Sequence, residues 1–226
     1  VLRDIESAGA DRTICLGDVA TLGSSPNDAI DTLRGMGCPC IMGNHDEFLL
    51  EPDLIDTYSE NRLVRDAVDW CRERLTPENL EYVRTFLRTY EVDLGDGHTM
   101  LAFHGSPTSH MEILNVATSG ADLDRHLAGK EYAVMAGGHT HAPMVRRHLD
   151  TYFVNPGSVG MPFREVNEKG VPRLLSGAEY ALIDCVDGDI RVELRRIRVD
   201  KNALLKELDG SDNPLRDGLE KAYLGF

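Results

Sequence analysis

Asp18, Asn44, His104, His139 and His141 are scattered along the chain, yet each stands just past a short apolar run: "TICLGD", "PCIMGNHD", "TMLAFHGS" or "AVMAGGHTH". Carboxylate, amide oxygen and imidazole make a donor set suited to Zn, Mn or Fe rather than to a thiolate-bound structural metal. Glycine adjoins nearly every one, in Gly17-Asp18, Gly43-Asn44, His104-Gly105 and Gly138-His139. Glycine permits the tight turns and close backbone approach that a crowded centre needs. In "GHTH" the histidines are two positions apart, and on an extended segment both would face one way while Thr140 points off.

Those apolar runs, together with "YFVNPGS", read as buried strands, and segments of helical period such as "NDAIDTLRGMG" lie between several of them. Alternating strands and helices imply an α/β domain. Ligands in open α/β sheets bind beyond the carboxyl ends of the strands, which is where these polar residues would meet. Residues 50–90 interrupt the rhythm with "LVRDAVDWCRERL" and "TPENLEYVRTFL", two expected helices forming a small cap, the second with Thr76 as N-cap and Pro77 at its first position. "YEVDLGDGHTMLAFHG" and "YALIDCVDGDIRVELRRIRV" read as hairpins turning at Gly95-Asp96-Gly97 and Asp187-Gly188. A short polar tail follows from about residue 201, and the whole of 1–226 reads as one domain.

The chain of 226 residues, 42% hydrophobic, can bury a sizeable core. Its 38 acidic against 24 basic residues give a formal charge of -14, which argues against nucleic acid as a general partner and against a membrane surface, both polyanionic. A phosphate-bearing substrate would need local help, and divalent cations can make an acidic pocket attractive. Cys15, Cys38, Cys40, Cys71 and Cys185 lack the spacing of a disulfide framework or a zinc ribbon and read as reduced thiols. No apolar run approaches the roughly 20 residues of a membrane span and no signal peptide is apparent, so the expected location is the cytoplasm.

"GDV", "GNHD", "HG", "GHTH" and "NPGSVG", in this order over roughly residues 1–200, resemble the motif series of the calcineurin-like metallophosphoesterases, and within them a compact prokaryotic phosphodiesterase or protein-phosphatase-like branch. The resemblance implies a four-layer α/β/β/α sandwich of two mixed sheets flanked by helices. It makes Asp18 the carboxylate bridging two divalent cations, drawn from Mn, Zn, Fe or Ni. Asn44, His104 and His139 would complete one cation site and His141 would belong to the other. His45 would sit beside the phosphate, stabilising its charge or protonating the leaving oxygen, with Asp46 orienting the imidazole. Two cations about 3.5–4 Å apart would lower the pKa of a bridging water that attacks phosphorus in line. The implied activity is hydrolysis of a small phosphorylated substrate, preferably a phosphodiester. A phosphomonoesterase, a protein-phosphatase-like enzyme and a non-catalytic scaffold of the same fold are the alternatives.

The family's opening Asp-x-His strand has no counterpart in this sequence, and the expectation is that the native protein carries it ahead of Val1. Two further residues are candidates for the substrate pocket: His110 in "HGSPTSH" and Arg164 in "GSVGMPFRE". His98, His126 and His148 read as solvent-facing, and Trp70 as packing within the cap.

Overall fold

The computed structural model describes residues 1–59, 61–166 and 172–225. Its centre is a mixed five-stranded sheet formed by β1 (Tyr90–Gly95), β2 (His98–Ala102), β3 (Val134–Ala136), β4 (Met144–His148) and β5 (Thr151–Asn155), in the order β1-β2-β3-β5-β4. The inner strands β2, β3 and β5 run parallel, whereas β1 and β4 pair antiparallel at the edges. Helix α7 (Gly120–Leu127) makes the crossover from β2 to β3.

Side chains alternate between the two faces of this sheet, as the pleat requires. Leu101, Phe103, Met135 and Phe153 pack with Leu123 and Leu127 of α7. Met100, Val134, Ala136 and Val154 face the other way, onto Ile14, Leu16 and the hairpin of β8 (Ala178–Val186) and β9 (Asp189–Ile197). Beyond that second layer lies a separate core in which Ile30 of α2 (Pro26–Met36), Phe48 and Leu49 of α3 (Asn44–Leu50), Val68 and Cys71 of α5 (Arg62–Arg74) and Val83 of α6 (Pro77–Arg84) pack with Cys40 and Met42. Helix, strand layer, sheet and helix are thus stacked in the sandwich order that the family resemblance implied.

The second layer is sparser than expected. "TICLGD" and "PCIMGNHD" do not form extended strands: they meet in a single parallel bridge, Cys15 to Cys40, and Ile41 bridges to Leu87. Gly17, at φ 96°, and Gly43, the N-cap of α3, turn each segment aside within a few residues of its bridge. A small hairpin of β6 (Phe163–Val166) and β7 (Pro172–Leu174) follows β5.

The two helices expected within 50–90 form as α5 and α6, preceded by a 3-10 turn at Pro52–Leu54 and α4 (Ile55–Tyr58). The Thr76 side chain accepts from Asn79 N–H, capping α6. Trp70 is buried, and its indole N–H donates to Asp212 at 2.9 Å, joining the helical segment to the stretch between α8 (Lys201–Leu208) and α9 (Arg216–Leu224). Both hairpins turn where expected, with Asp96-Gly97 and Asp187-Gly188 at positive φ. The three histidines read as solvent-facing need correction. His126 is buried because it shares the inward face of α7 with Leu123, and it lies 3.3 Å from Glu112. His148 reaches Asp124 at 2.7 Å, and His98 meets the Gly188 carbonyl at 3.0 Å, tying one hairpin turn to the other.

Candidate metal centre

The parallel strands bring their carboxyl ends to one edge. The chain leaves β2 through Phe103, whose N–H still donates to Ala136, and presents His104; it leaves β3 through Gly137 and Gly138 and presents His139. Gly138 N–H donates to the His104 carbonyl at 2.8 Å, so the two loops brace each other. Asn155, the last residue of β5, donates to the carbonyl of Gly138 and, at 3.0 Å, to Thr140 Oγ1. That contact gives the first residue of "NPGSVG" its purpose: it clamps the histidine loop.

Asp18 and Asn44 arrive from the second layer, held chiefly by side chains. Asp46, at the third position of α3, accepts from the N–H of Gly43 at 3.0 Å, as an N-terminal capping carboxylate does, and also from Asp18 at 2.7 Å and Val19 at 2.9 Å. His45 N–H in turn donates to Asp18 Oδ1 at 2.9 Å. Glycine is obligatory between these loops, since a Cβ on Gly17 would stand 2.7 Å from Gly43 N and 2.8 Å from Ile41 O. The expected role of Asp46 is therefore corrected. It pins the Asp18 loop to α3, and the His45 ring is oriented instead by Thr21, whose Oγ1 is 2.9 Å from Nδ1.

The result is a tight cluster. Ligand atoms of Asp18, His104 and His139 all lie within 4.8 Å of one another. Asn44 Oδ1 is 3.1 Å from His104 Nε2 and 3.0 Å from His139 Nδ1, and His104 Nε2 is 3.2 Å from Asp18 Oδ2. His104 Nδ1 is turned outward to the Leu16 carbonyl at 2.6 Å, the outer hydrogen bond that fixes a ligating imidazole's tautomer and leaves Nε2 for the centre. The buried Asn44 amide nitrogen has no hydrogen-bond partner among the described residues, so the amide spends its oxygen on the cluster. Converging lone-pair donors, with the outer nitrogen of His104 and one oxygen of Asp18 already engaged, fit a divalent cation.

His141 does not join this cluster. His139 and His141 both adopt left-handed backbone, φ 38° and 53°, so the segment is not extended and the two side chains do not alternate as on a strand. His141 directs Nδ1 to the Met161 carbonyl at 2.9 Å and packs its ring 5.4 Å from that of Phe163. Asp18 shares the positive φ, at 58°. Such conformations cost non-glycine residues about 1–3 kcal/mol each and persist where the surroundings impose them, frequently at functional sites.

Electrostatics favour the neutral form of three of the four imidazoles. Burial, with the His104 charge beside it, pushes His139 down to about 4. Burial also lowers His45 and His141. For Asp18, burial works upward, but His104 and His45 outweigh it and hold the carboxyl below its ordinary range. His104 is raised, since the Asp18 carboxylate overcomes the opposing effect of burial. Asp46 is pushed up to about 6 by burial and by the Asp18 charge, against its backbone donors.

His110 does not join the ligand cluster. His110 Nε2 is 2.6 Å from Glu47 Oε2 on α3, and its Nδ1 is 2.5 Å from Arg88, which also pairs with Glu47. This triad borders the site without pointing into the ligand cluster. Arg164 lies on β6, and its side chain is outside the described residues. Sequence reading missed Thr21, Tyr58 and Asn155. Asn155 had a signal in its motif, and Thr21 lies only three residues after Asp18, but nothing local marks Tyr58.

Residues 1–185 match the profile of the calcineurin-like phosphoesterase superfamily domain. An uncharacterized protein of Methanocaldococcus jannaschii is 27% identical, with the match covering 88% of this chain and 81% of that protein. Among solved structures, a hypothetical protein from Pyrococcus horikoshii superposes with a TM-score of 0.78 at 18% identity, over 98% of this chain and 88% of that one. A metallophosphoesterase from Sphaerobacter thermophilus gives 0.70 at 21% identity, over 99% and 92%. These superpositions show a shared fold, and among the described residues no helix is long and apolar enough to cross a membrane. With its profile match spanning most of its length, the chain belongs to the calcineurin-like phosphoesterase superfamily.

Proposed function

We propose that this chain is a metal-dependent phosphoesterase acting on a small phosphorylated substrate, with a preference for phosphodiesters. The observation that carries the reading is the convergence of Asp18, Asn44, His104 and His139 with their ligand atoms facing one another. In this proposal those four would hold one divalent cation, and Asp18 and His141 would contribute to a second site. Bound there, divalent cations supply Lewis acidity toward phosphoryl oxygen and a water of lowered pKa.

The protein groups do the rest. Thr21 Oγ1 lies 2.9 Å from Nδ1; with the hydroxyl donating there, His45 would carry its proton on Nε2, and burial favours the neutral ring. It then offers an N–H to a phosphoryl or leaving-group oxygen, a hydrogen bond strengthened as charge develops there. Asp46 contributes by fixing the loop that carries Asp18. A diester suits the electrostatics: it bears one negative charge where a monoester bears up to two, the chain is strongly acidic, and Arg88 at the border is already paired with Glu47.

The test is metal analysis together with turnover of an aryl phosphodiester and an aryl phosphomonoester, with and without Mn. The expected result is bound divalent metal and metal-dependent hydrolysis favouring the diester. Equal metal-independent background on both substrates overturns the enzyme reading and leaves a scaffold; faster monoester turnover overturns the diester preference. His45→Ala should retain metal and lose turnover, and a metal-free variant would make His45 a ligand.

A further inference from the structure

The chain between α3 and β1 places one aromatic side chain at the site. Helix α4 ends at Tyr58, whose ring centroid is 6.0 Å from His45 and 6.4 Å from His139. Phe48, fully buried on α3, backs it at 5.7 Å. Tyr58 is nonetheless 43% exposed. A tyrosine recruited only for packing would bury its ring and leave the hydroxyl wet. Here the residue stays open on the surface with its ring beside the two histidines.

His139 belongs to the ligand cluster and His45 to the expected phosphate contact, so Tyr58 spans both parts of the site. A phosphoester lying between those imidazoles would carry its ester substituent within reach of this ring. We propose that Tyr58 is a specificity-determining residue that stacks against a planar aromatic substituent of the substrate, so that the site selects esters bearing a ring over those bearing an alkyl group. The inference rests on the phosphoesterase reading above and names the substrate class within it. Aromatic pairing of this kind contributes about threefold to tenfold in affinity beyond the area it buries.

The test uses the full chain loaded with Mn and calorimetric titration with phenylphosphonate and with methylphosphonate, which share one charged headgroup. The wild type should bind phenylphosphonate more tightly, by about threefold to tenfold. Tyr58→Phe should keep that preference, because the ring remains. Tyr58→Ala should abolish it while leaving the methylphosphonate affinity and the metal content unchanged. A preference that survives in Tyr58→Ala, or is absent from the wild type, overturns the proposal. Loss of metal in Tyr58→Ala overturns it in another way, making Tyr58 a structural support for Asn44. Failure of the metal-loaded wild type both to bind either phosphonate and to hydrolyse either aryl ester would instead sink the phosphoesterase reading itself, and this proposal with it.

Discussion

The two halves of the centre are positioned by different means. His104 and His139 leave the ends of adjacent parallel strands, where the backbone ladder from β1 to β5 sets their separation. Asp18 and Asn44 come from segments that share a single bridge, and their placement relies on the Asp46 carboxylate, the His45 N–H and two glycines. A ladder spreads its support over many hydrogen bonds, so one substitution weakens it in proportion. A pin concentrates support in one residue, and that residue then matters as much as a ligand although it touches no metal.

Removing the pin should have the largest effect. Asp46→Ala leaves three N–H groups, of Asp18, Val19 and Gly43, without their acceptor, at a cost on the order of 3–5 kcal/mol. Urea denaturation should show that loss, and metal analysis should show the centre gone with it. A core deletion beneath the ladder provides the contrast. Met135→Ala, at a fully buried position, should cost about 2–4 kcal/mol by opening a cavity, yet the folded fraction should still bind metal. Equal metal loss in both variants would erase the distinction between pin and ladder.

A third measurement isolates His139 in chelated protein. Its folded pKa, about 4, lies below the ordinary value of 6.5, so between those pH values the unfolded chain takes up a proton that the folded one refuses. Stability contributed through this group therefore falls as pH drops from 6.5 to 4. Relative to His139→Gln, the wild type should lose stability across that window, by about 1–2 kcal/mol after allowance for partial exposure. A difference that stays flat with pH would contradict the burial of this imidazole. The smallest effect belongs to the β4–β5 turn, where Leu149 holds φ 52° while 69% exposed. Leu149→Gly should raise stability by about 0.5–1 kcal/mol through relief of that backbone, without changing metal content.

The same division explains what the sequence revealed. Strand ends followed by Gly and His were legible because a buried strand has a plain apolar signature, and the hairpins because Asp-Gly demands a particular turn. The α7 crossover face hid His126, since an imidazole three positions after Leu123 looks polar in composition while lying on the inward stripe. The partners of Asp46 were not legible, because a carboxylate bonding to backbone N–H groups 27 and 28 positions away leaves no local pattern. Nor was the local geometry at His141, since alternation holds only on an extended chain and left-handed φ at both histidines breaks it. Tyr58 reaches the site by tertiary folding alone.

The joint between Trp70 and Asp212 has a practical side. The chain contains a single tryptophan, and its indole touches the C-terminal stretch through that carboxylate while Arg74 sits 4.4 Å above the ring. The molecule thus carries one intrinsic optical gauge, planted at the seam between its helical insertion and its tail. Its emission reports on that seam with no label attached.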